Sequence, residues 1–197
     1  MKAITIIFLG LLALVGATDK TQVIPDFALK DARTQQEVRL ADYNSAKGIV
    51  VIFTSNYCPY SKLYEGRIKS LSNTYSGKGI QFLLINPNSG INNDHESMSE
   101  MARKAREENY SFPYLADASQ QAVQQLGAQK TPEAFLLVRQ GKGYRVVYSG
   151  AIDDNPQVEQ DVDNAYLATA IDALLASNTS GISTQRPTGC MIKKKRQ

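Results

Sequence analysis

The sequence feature that most constrains the fold is a strand pattern that leads directly into a helix pattern. Residues 48–53 form an uncharged apolar run, which favours a strand buried on both faces. A helix is predicted to begin at Pro59, because proline is favoured at the first position of a helix. Apolar side chains then recur at helical spacing, at Tyr64, Ile68, Leu71 and Tyr75.

Cys58 lies at the junction between these two patterns. The free N–H groups and partial positive charge at a helix N-terminus favour a thiolate over a thiol, so this sulfur is predicted to be nucleophilic near neutral pH. The only other cysteine is Cys190. The sequence therefore indicates thiol redox chemistry centred on Cys58.

The rest of the chain alternates between strand and helix patterns. Further strands are predicted at residues 80–85, 134–138 and 144–148. Further helices are predicted around residues 98–105, near 122–126 and over 162–176. This order predicts an α/β fold with a mixed central sheet and helices on both faces.

The N-terminus resembles a secretory signal peptide. Lys2 precedes an apolar run over residues 3–15, and the small residues Gly16 and Ala17 follow it. The run is shorter than the roughly 20 residues of a membrane-spanning helix. We expect cleavage after Ala17, export to the periplasm or the exterior, and no integral membrane segment in the mature chain. An uncleaved N-terminal anchor is the alternative.

The net charge of +3 is concentrated at the chain ends. Lys2 and the basic residues 193–196 account for five of the 22 basic residues, which leaves 17 against 19 acidic residues in the body. No nucleic-acid partner is therefore expected. We expect a domain over residues 18–178 and a flexible, basic, solvated tail over residues 179–197 that carries Cys190.

Three separate motifs resemble those of the redoxins, the alkyl-hydroperoxide-reductase/thiol-specific-antioxidant superfamily with a thioredoxin fold. Residues 25–31 are similar to its entry motif, and residues 130–133 are similar to its cis-proline loop. Residues 56–62 resemble the Cys-Pro-Tyr-x-Lys motif of a bacterial branch. Residues 148–155, and residues 188–193 with a Gly-Cys-x-Ile-Lys pattern, also resemble that branch. The resemblance implies a thioredoxin-like domain and antioxidant or thiol-disulfide exchange activity.

The resemblance also implies where a substrate binds. A cis bond between Thr131 and Pro132 would place that loop beside Cys58, and the backbone of Thr131 would pair with an incoming peptide or thiol. Pro59, Tyr60 and Ser61 complete the expected substrate-binding set. The expected substrates are disulfide-containing proteins, small thiols or peroxides. No cofactor and no metal are expected, although His95 and the two cysteines are metal-binding residue types.

The chain departs from two patterns of the superfamily. Ser61 replaces the second cysteine of a Cys-x-x-Cys motif, and its hydroxyl can hydrogen-bond a thiolate but cannot resolve a mixed disulfide. The peroxiredoxin pattern has a threonine three residues before the cysteine, whereas Thr54 lies four residues before Cys58. The second departure argues against efficient peroxide reduction.

Cys190 has three interpretations. It is a resolving thiol for Cys58, half of a static disulfide, or a free thiol that pairs between chains. The leading functional hypothesis is an exported thiol-disulfide oxidoreductase in which Cys58 attacks and Cys190 resolves. The alternatives are an atypical thiol peroxidase and a non-catalytic binding or redox-sensing module.

Overall fold

The structure is a computed structural model that describes residues 23–195; the predicted signal peptide, residues 1–17, lies outside them. The strands are β1 (Val23–Ile24), β2 (Ala28–Asp31), β3 (Glu37–Arg39), β4 (Gly48–Phe53), β5 (Ile80–Asn86), β6 (Tyr114–Ala116), β7 (Lys130–Thr131), β8 (Glu133–Gln140), β9 (Gly143–Gly150) and β10 (Cys190–Met191). The helices are α1 (Pro59–Tyr75), α2 (Met98–Glu107), α3 (Gln121–Leu126) and α4 (Tyr166–Leu175).

Eight strands form one mixed sheet in the order β1-β9-β8-β4-β5-β6-β2-β3. Strand β4 runs parallel to β5 and antiparallel to β8, so it lies near the centre of the sheet. Strands β5 and β6 are also parallel, and β8 and β9 form an antiparallel hairpin. The predicted mixed sheet is confirmed.

The sheet separates two apolar cores, and β4 contributes alternate residues to each. Val50 and Ile52 face the core covered by α1, α2 and α4. Ile49, Val51 and Phe53 face the core that contains side chains from α3 and from the N-terminal strands. All six residues of β4 are buried, which explains why this strand has no polar alternation in the sequence. Helices therefore cover both faces, as predicted.

Helix α4 begins later than the sequence indicates. The pattern predicted a helix over residues 162–176, whereas α4 starts at Tyr166. The carboxylate of Asp154 accepts hydrogen bonds from the backbone N–H of Asp163 and from the side chain of Asn164. These bonds hold residues 163 and 164 in a loop, so the helix starts only after them.

The segment after α4, for which a flexible tail was predicted, returns to the body of the protein. Gln185 bridges to Gly150 at the end of β9, and the N–H of Ala151 donates to the carbonyl of Gln185. Strand β10 then pairs with β7 in a separate two-stranded sheet. Among residues 23–195, no helix combines the length and apolar character needed to cross a bilayer.

Candidate active site

The site is built on the turn that joins β4 to α1. Cys58 is the N-cap residue of α1, with Pro59 at the first helical position. Its side chain lies beside the positive end of a 17-residue helix, which is the environment that favours a thiolate. Cys58 is only 2% exposed, so its sulfur is covered by the rest of the site.

Glu96 holds this turn in place. Its carboxylate accepts hydrogen bonds from the Ser55 hydroxyl and from the backbone N–H groups of Asn56 (3.0 Å) and Tyr57 (3.1 Å). The side chain of Asn86 donates a further bond of 2.8 Å. The Cys58 N–H in turn donates to the Ser55 hydroxyl, at 3.3 Å. Glu96 is 1% exposed, and these four donors compensate for burying its charge.

A buried tyrosine extends the same hydrogen-bond network through Asn56. The Tyr114 hydroxyl donates a 2.8 Å hydrogen bond to the side-chain oxygen of Asn56. Complete burial, with a further contribution from the Glu96 carboxylate, raises the pKa of Tyr114 well above its usual value. The phenol is therefore neutral at physiological pH and remains a hydrogen-bond donor.

The cis-proline loop lies against the sulfur of Cys58. The Thr131–Pro132 peptide bond is cis, and the carbonyl oxygen of Thr131 is 3.1 Å from the Cys58 Sγ. Glu133 fixes the approach to this loop by accepting hydrogen bonds from the N–H groups of Gln129 (2.7 Å) and Lys130 (2.9 Å). The loop that resembles the family motif thus meets Cys58 through its backbone.

Cys58 and Cys190 form a disulfide in this structure, with their α-carbons 6.1 Å apart. Strand β10 carries Cys190 along the edge of β7, so that Cys190 is paired with Thr131 and Met191 with Lys130. A cavity of about 240 Å³ adjoins the disulfide, lined by residues that include Tyr57, Pro59, Ile91 and Met191. The interpretation of Cys190 as a free thiol is wrong for this state.

The remaining predicted residues surround the turn in different ways. Pro59 is exposed and Tyr60 is half-buried, so both can meet a partner. Ser61 is buried, and its hydroxyl oxygen accepts a hydrogen bond from the Ser55 N–H. His95 is exposed and stacks on Tyr57, with ring centroids 5.4 Å apart. Within residues 23–195, no three His, Cys, Asp or Glu side chains are grouped so that they could hold a metal ion.

Comparison with known proteins decides the family. A model of the Redoxin family matches residues 18–166. The chain belongs to the Redoxin family. This redoxin is 26% identical over 155 residues to the thiol-disulfide oxidoreductase ResA of Geobacillus thermodenitrificans, which covers 73% of this chain and 84% of ResA. The predicted resemblance to redoxins is confirmed.

Two solved structures are similar over nearly the whole redoxin. A hypothetical protein from Sinorhizobium meliloti is 31% identical, with a TM-score of 0.80 over 90% of this chain and 95% of that one. An uncharacterized conserved protein from Geobacillus kaustophilus is also 31% identical, with a TM-score of 0.81 over 90% of this chain and 93% of that one. The fold is thioredoxin-like, as predicted, and is shared with more distant thioredoxin-like structures.

Sequence reasoning missed three polar residues that shape the redoxin site. Glu96 holds the turn before α1, and Asn88 and Gln120 contact the C-terminal segment. Each lies in a polar stretch where an exposed side chain is the usual expectation. Their burial comes from tertiary contacts between distant segments, for which the local sequence has no signal.

Proposed function

We propose that this redoxin is a thiol-disulfide oxidoreductase in which Cys58 is the nucleophile and Cys190 is the resolving thiol. The observation that carries the proposal is the Cys58–Cys190 disulfide across the cis-proline loop. Ser61 occupies the position where a Cys-x-x-Cys motif would supply a local resolving thiol. A thiol on the C-terminal segment, brought to the same sulfur, can supply that chemistry instead.

The reaction begins with the reduced protein. The Cys58 thiolate, stabilised by the α1 N-terminus, attacks one sulfur of a substrate disulfide. A mixed disulfide forms between Cys58 and the substrate, and the other substrate sulfur leaves as a thiolate that takes a proton from water. The backbone of Thr131 positions the substrate, while Pro59 and Tyr60 form the exposed side of the site.

Resolution returns the protein to the oxidised state. The Cys190 thiolate attacks the Cys58 sulfur of the mixed disulfide, the Cys58–Cys190 bond forms, and the second substrate sulfur leaves as a thiolate. The substrate has gained two electrons and the protein has lost two. An external dithiol, protein or small molecule, restores both thiols through a second exchange. A static Cys58–Cys190 bond would instead block the nucleophile permanently.

Single-turnover reaction with oxidised glutathione tests the proposal. Reduced wild-type protein should consume both thiols, release reduced glutathione and end as the internal disulfide. Cys190→Ser should stop at a stable mixed disulfide with glutathione on Cys58, detected by intact mass. Lys142→Ser, in the exposed turn between β8 and β9, leaves both thiols and the site unchanged and should match wild type.

Two results would contradict the proposal. Cys58→Ser reacting as fast as wild type would remove Cys58 as the nucleophile. A wild-type disulfide that cannot be reduced by dithiothreitol without unfolding would identify a static structural bond. Hydrogen peroxide as the oxidant, run in parallel, distinguishes a thiol peroxidase, because only that activity would consume the thiols rapidly with peroxide.

We also propose that the protein is exported, with residues 1–17 removed as a signal peptide. The support is the charged start, the apolar run and the small residues before Thr18. In a bacterial host, secreted wild-type protein should begin at Thr18 by N-terminal sequencing. Ala17→Leu should retain the leader because a large residue blocks the cleavage site. An unprocessed, cytoplasmic wild-type protein would contradict this proposal.

A further inference from the structure

We propose that residues 189–193 occupy the protein's own substrate site, and that they define the peptide this site accepts. The partner is an extended segment with a glycine before its cysteine and an aliphatic residue two positions after it. This inference rests on the proposed function, because it describes the substrate of the same Cys58 site. Beyond that function, it states which residues the site prefers on either side of the substrate cysteine. It also states that the C-terminal segment, called the tail below, competes with the substrate for the site.

The first observation is that the C-terminal segment binds as an added strand. Among the described residues, β7 pairs with β10 alone, so removing the segment leaves a strand edge unpaired beside Cys58. The N–H of Ile192 extends the pairing by donating to the carbonyl of Gln129, at 2.9 Å. Unpaired strand edges bind extended peptides through main-chain hydrogen bonds, so a substrate strand can take the same place.

The second observation concerns the residue before the cysteine. A β-carbon added to Gly189 would lie 2.4 Å from the carbonyl oxygen of Thr131 and 3.1 Å from the backbone nitrogen of Pro132. Both atoms belong to the cis-proline loop, which is fixed by Glu133 and cannot move aside like a flexible side chain. The site therefore selects glycine at this position.

The third observation is the alternation after the cysteine. Met191 is 65% exposed, so the first position after the cysteine is free to vary. Ile192 is 9% exposed and joins the apolar core that also contains Phe27, Ala122 and Ala128. An aliphatic side chain here is removed from water, which favours Ile, Leu or Val over polar residues.

The fourth observation is a pair of buried amides that bind only backbone. The side-chain oxygen of Asn88 accepts from the Lys193 N–H at 3.2 Å. The Gln120 amide donates to the Lys193 carbonyl at 2.6 Å and accepts from the Lys195 N–H at 3.1 Å. Both amides are buried, and their hydrogen bonds to the described part of the tail go to backbone atoms. They hold any extended chain, so specificity depends on the glycine and aliphatic positions.

Together, these four observations mean that the tail and a substrate strand cannot occupy the β7 edge at the same time. The tail must leave the β7 edge before a substrate strand can pair there. When Cys190 later attacks Cys58, the returning tail takes the main-chain hydrogen bonds of the substrate as well as its sulfur. Resolution therefore also displaces the reduced product from the site.

The test uses synthetic peptides with the sequence of residues 188–195, the cysteine being activated as a mixed disulfide with thionitrobenzoate. Reduced full-length Cys190→Ser protein supplies the Cys58 thiolate, which bonds to the peptide sulfur and expels coloured thionitrobenzoate. We expect peptides with Val for the glycine, or Ser for the isoleucine, to react about tenfold more slowly or worse. A peptide with Ser for the methionine is the matched control and should stay within about twofold of the parent, since that side chain is exposed.

Competition is tested on the protein side. In the Cys190→Ser background, Ile192→Ser weakens tail docking and should speed the reaction of the parent peptide. The exposed-residue variant Lys194→Ser is the control and should not change that rate. Circular dichroism confirms that each variant is folded. The peptide series needs no second protein variant, so it decides the subsite pattern even if Ile192→Ser does not fold.

The outcomes separate the two proposals. Equal rates for all peptides, with oxidised glutathione also reduced, would overturn the subsite inference and leave the oxidoreductase function standing. No reaction of Cys58 with any peptide or with glutathione disulfide would overturn the proposed function itself. Unchanged or slower peptide reaction in folded Ile192→Ser protein would overturn the competition.

Discussion

At the residue scale, Glu96 is the side chain on which the turn between β4 and α1 most depends. One buried carboxylate accepts from a hydroxyl, two backbone N–H groups and an amide. Glu96→Gln replaces one carboxylate oxygen with an NH₂ group, which is itself a hydrogen-bond donor. The N–H and O–H groups that donated to that oxygen are then buried without an acceptor. We expect the free energy of unfolding of the oxidised protein to fall by about 2–3 kcal/mol, measured by urea titration.

The matched control is Glu100→Gln on α2. Glu100 pairs with Arg103 at the protein surface, where an ion pair contributes about 0–1 kcal/mol. A loss of similar size in both variants would show that Glu96 has no special structural role.

At the element scale, a buried ion pair joins α1 to the loop after β9. Arg67 donates to Asp153 at 2.8 Å and to the carbonyl of Asn155, while the Tyr64 hydroxyl donates to the other oxygen of Asp153. Asp153→Ala leaves the buried guanidinium with a single carboxylate partner among residues 23–195, Glu159 at 3.9 Å. We expect a loss of about 3–5 kcal/mol in urea unfolding.

Asp163→Ala, in the exposed part of the same loop, is the control for that prediction. Equal stability of Asp153→Ala and wild type would mean that solvent reaches Arg67 and replaces the lost partner.

The elements themselves were predictable to different degrees. Strand β4 and helix α1 followed from an apolar run and a helical period, because each is specified by its own residues. Strands β7 and β10 have two residues each and are defined only by pairing with one another across 59 positions of chain. The Glu96 network also depends on contact between distant segments. The local sequence of residues 94–96 does not indicate that Glu96 will bind the turn at residues 55–57.

At the scale of the whole molecule, the disulfide joins residues separated by 132 positions. Closing so long a loop restricts the unfolded chain, and reduction should therefore lower the free energy of unfolding by about 2–5 kcal/mol. Urea titrations with and without dithiothreitol measure this difference. Cys190→Ser, which cannot form the disulfide, is the control, and dithiothreitol should not change its urea midpoint. A wild-type midpoint that dithiothreitol leaves unchanged would contradict the prediction.

Buried tyrosines should make the whole fold sensitive to alkali. Burial, followed by a hydrogen bond with Asp172, raises the pKa of Tyr75 to about 12, and burial also raises the pKa values of Tyr64, Tyr110 and Tyr148. The unfolded chain loses these phenol protons near pH 10, before the folded chain does. The stability conferred by neutral phenols is complete below pH 10 and is lost as the pH rises towards 12 and beyond.

Phenolate absorbance followed together with circular dichroism tests this. Most tyrosines should ionise in the same transition in which the secondary structure is lost. Smooth titration of all ten tyrosines near pH 10 with the fold intact would contradict the prediction.

The long interval between Cys58 and Cys190 also sets an order of events during biosynthesis. A ribosome or an export channel delivers a polypeptide from its N-terminus, so Cys58 emerges 132 residues ahead of the cysteine that will cover it. Throughout that interval the nascent chain presents an uncapped thiol to whatever oxidants and thiols surround it. Among the strands of residues 23–195, β10 is the last to be synthesised, and it carries the cysteine that covers the Cys58 sulfur.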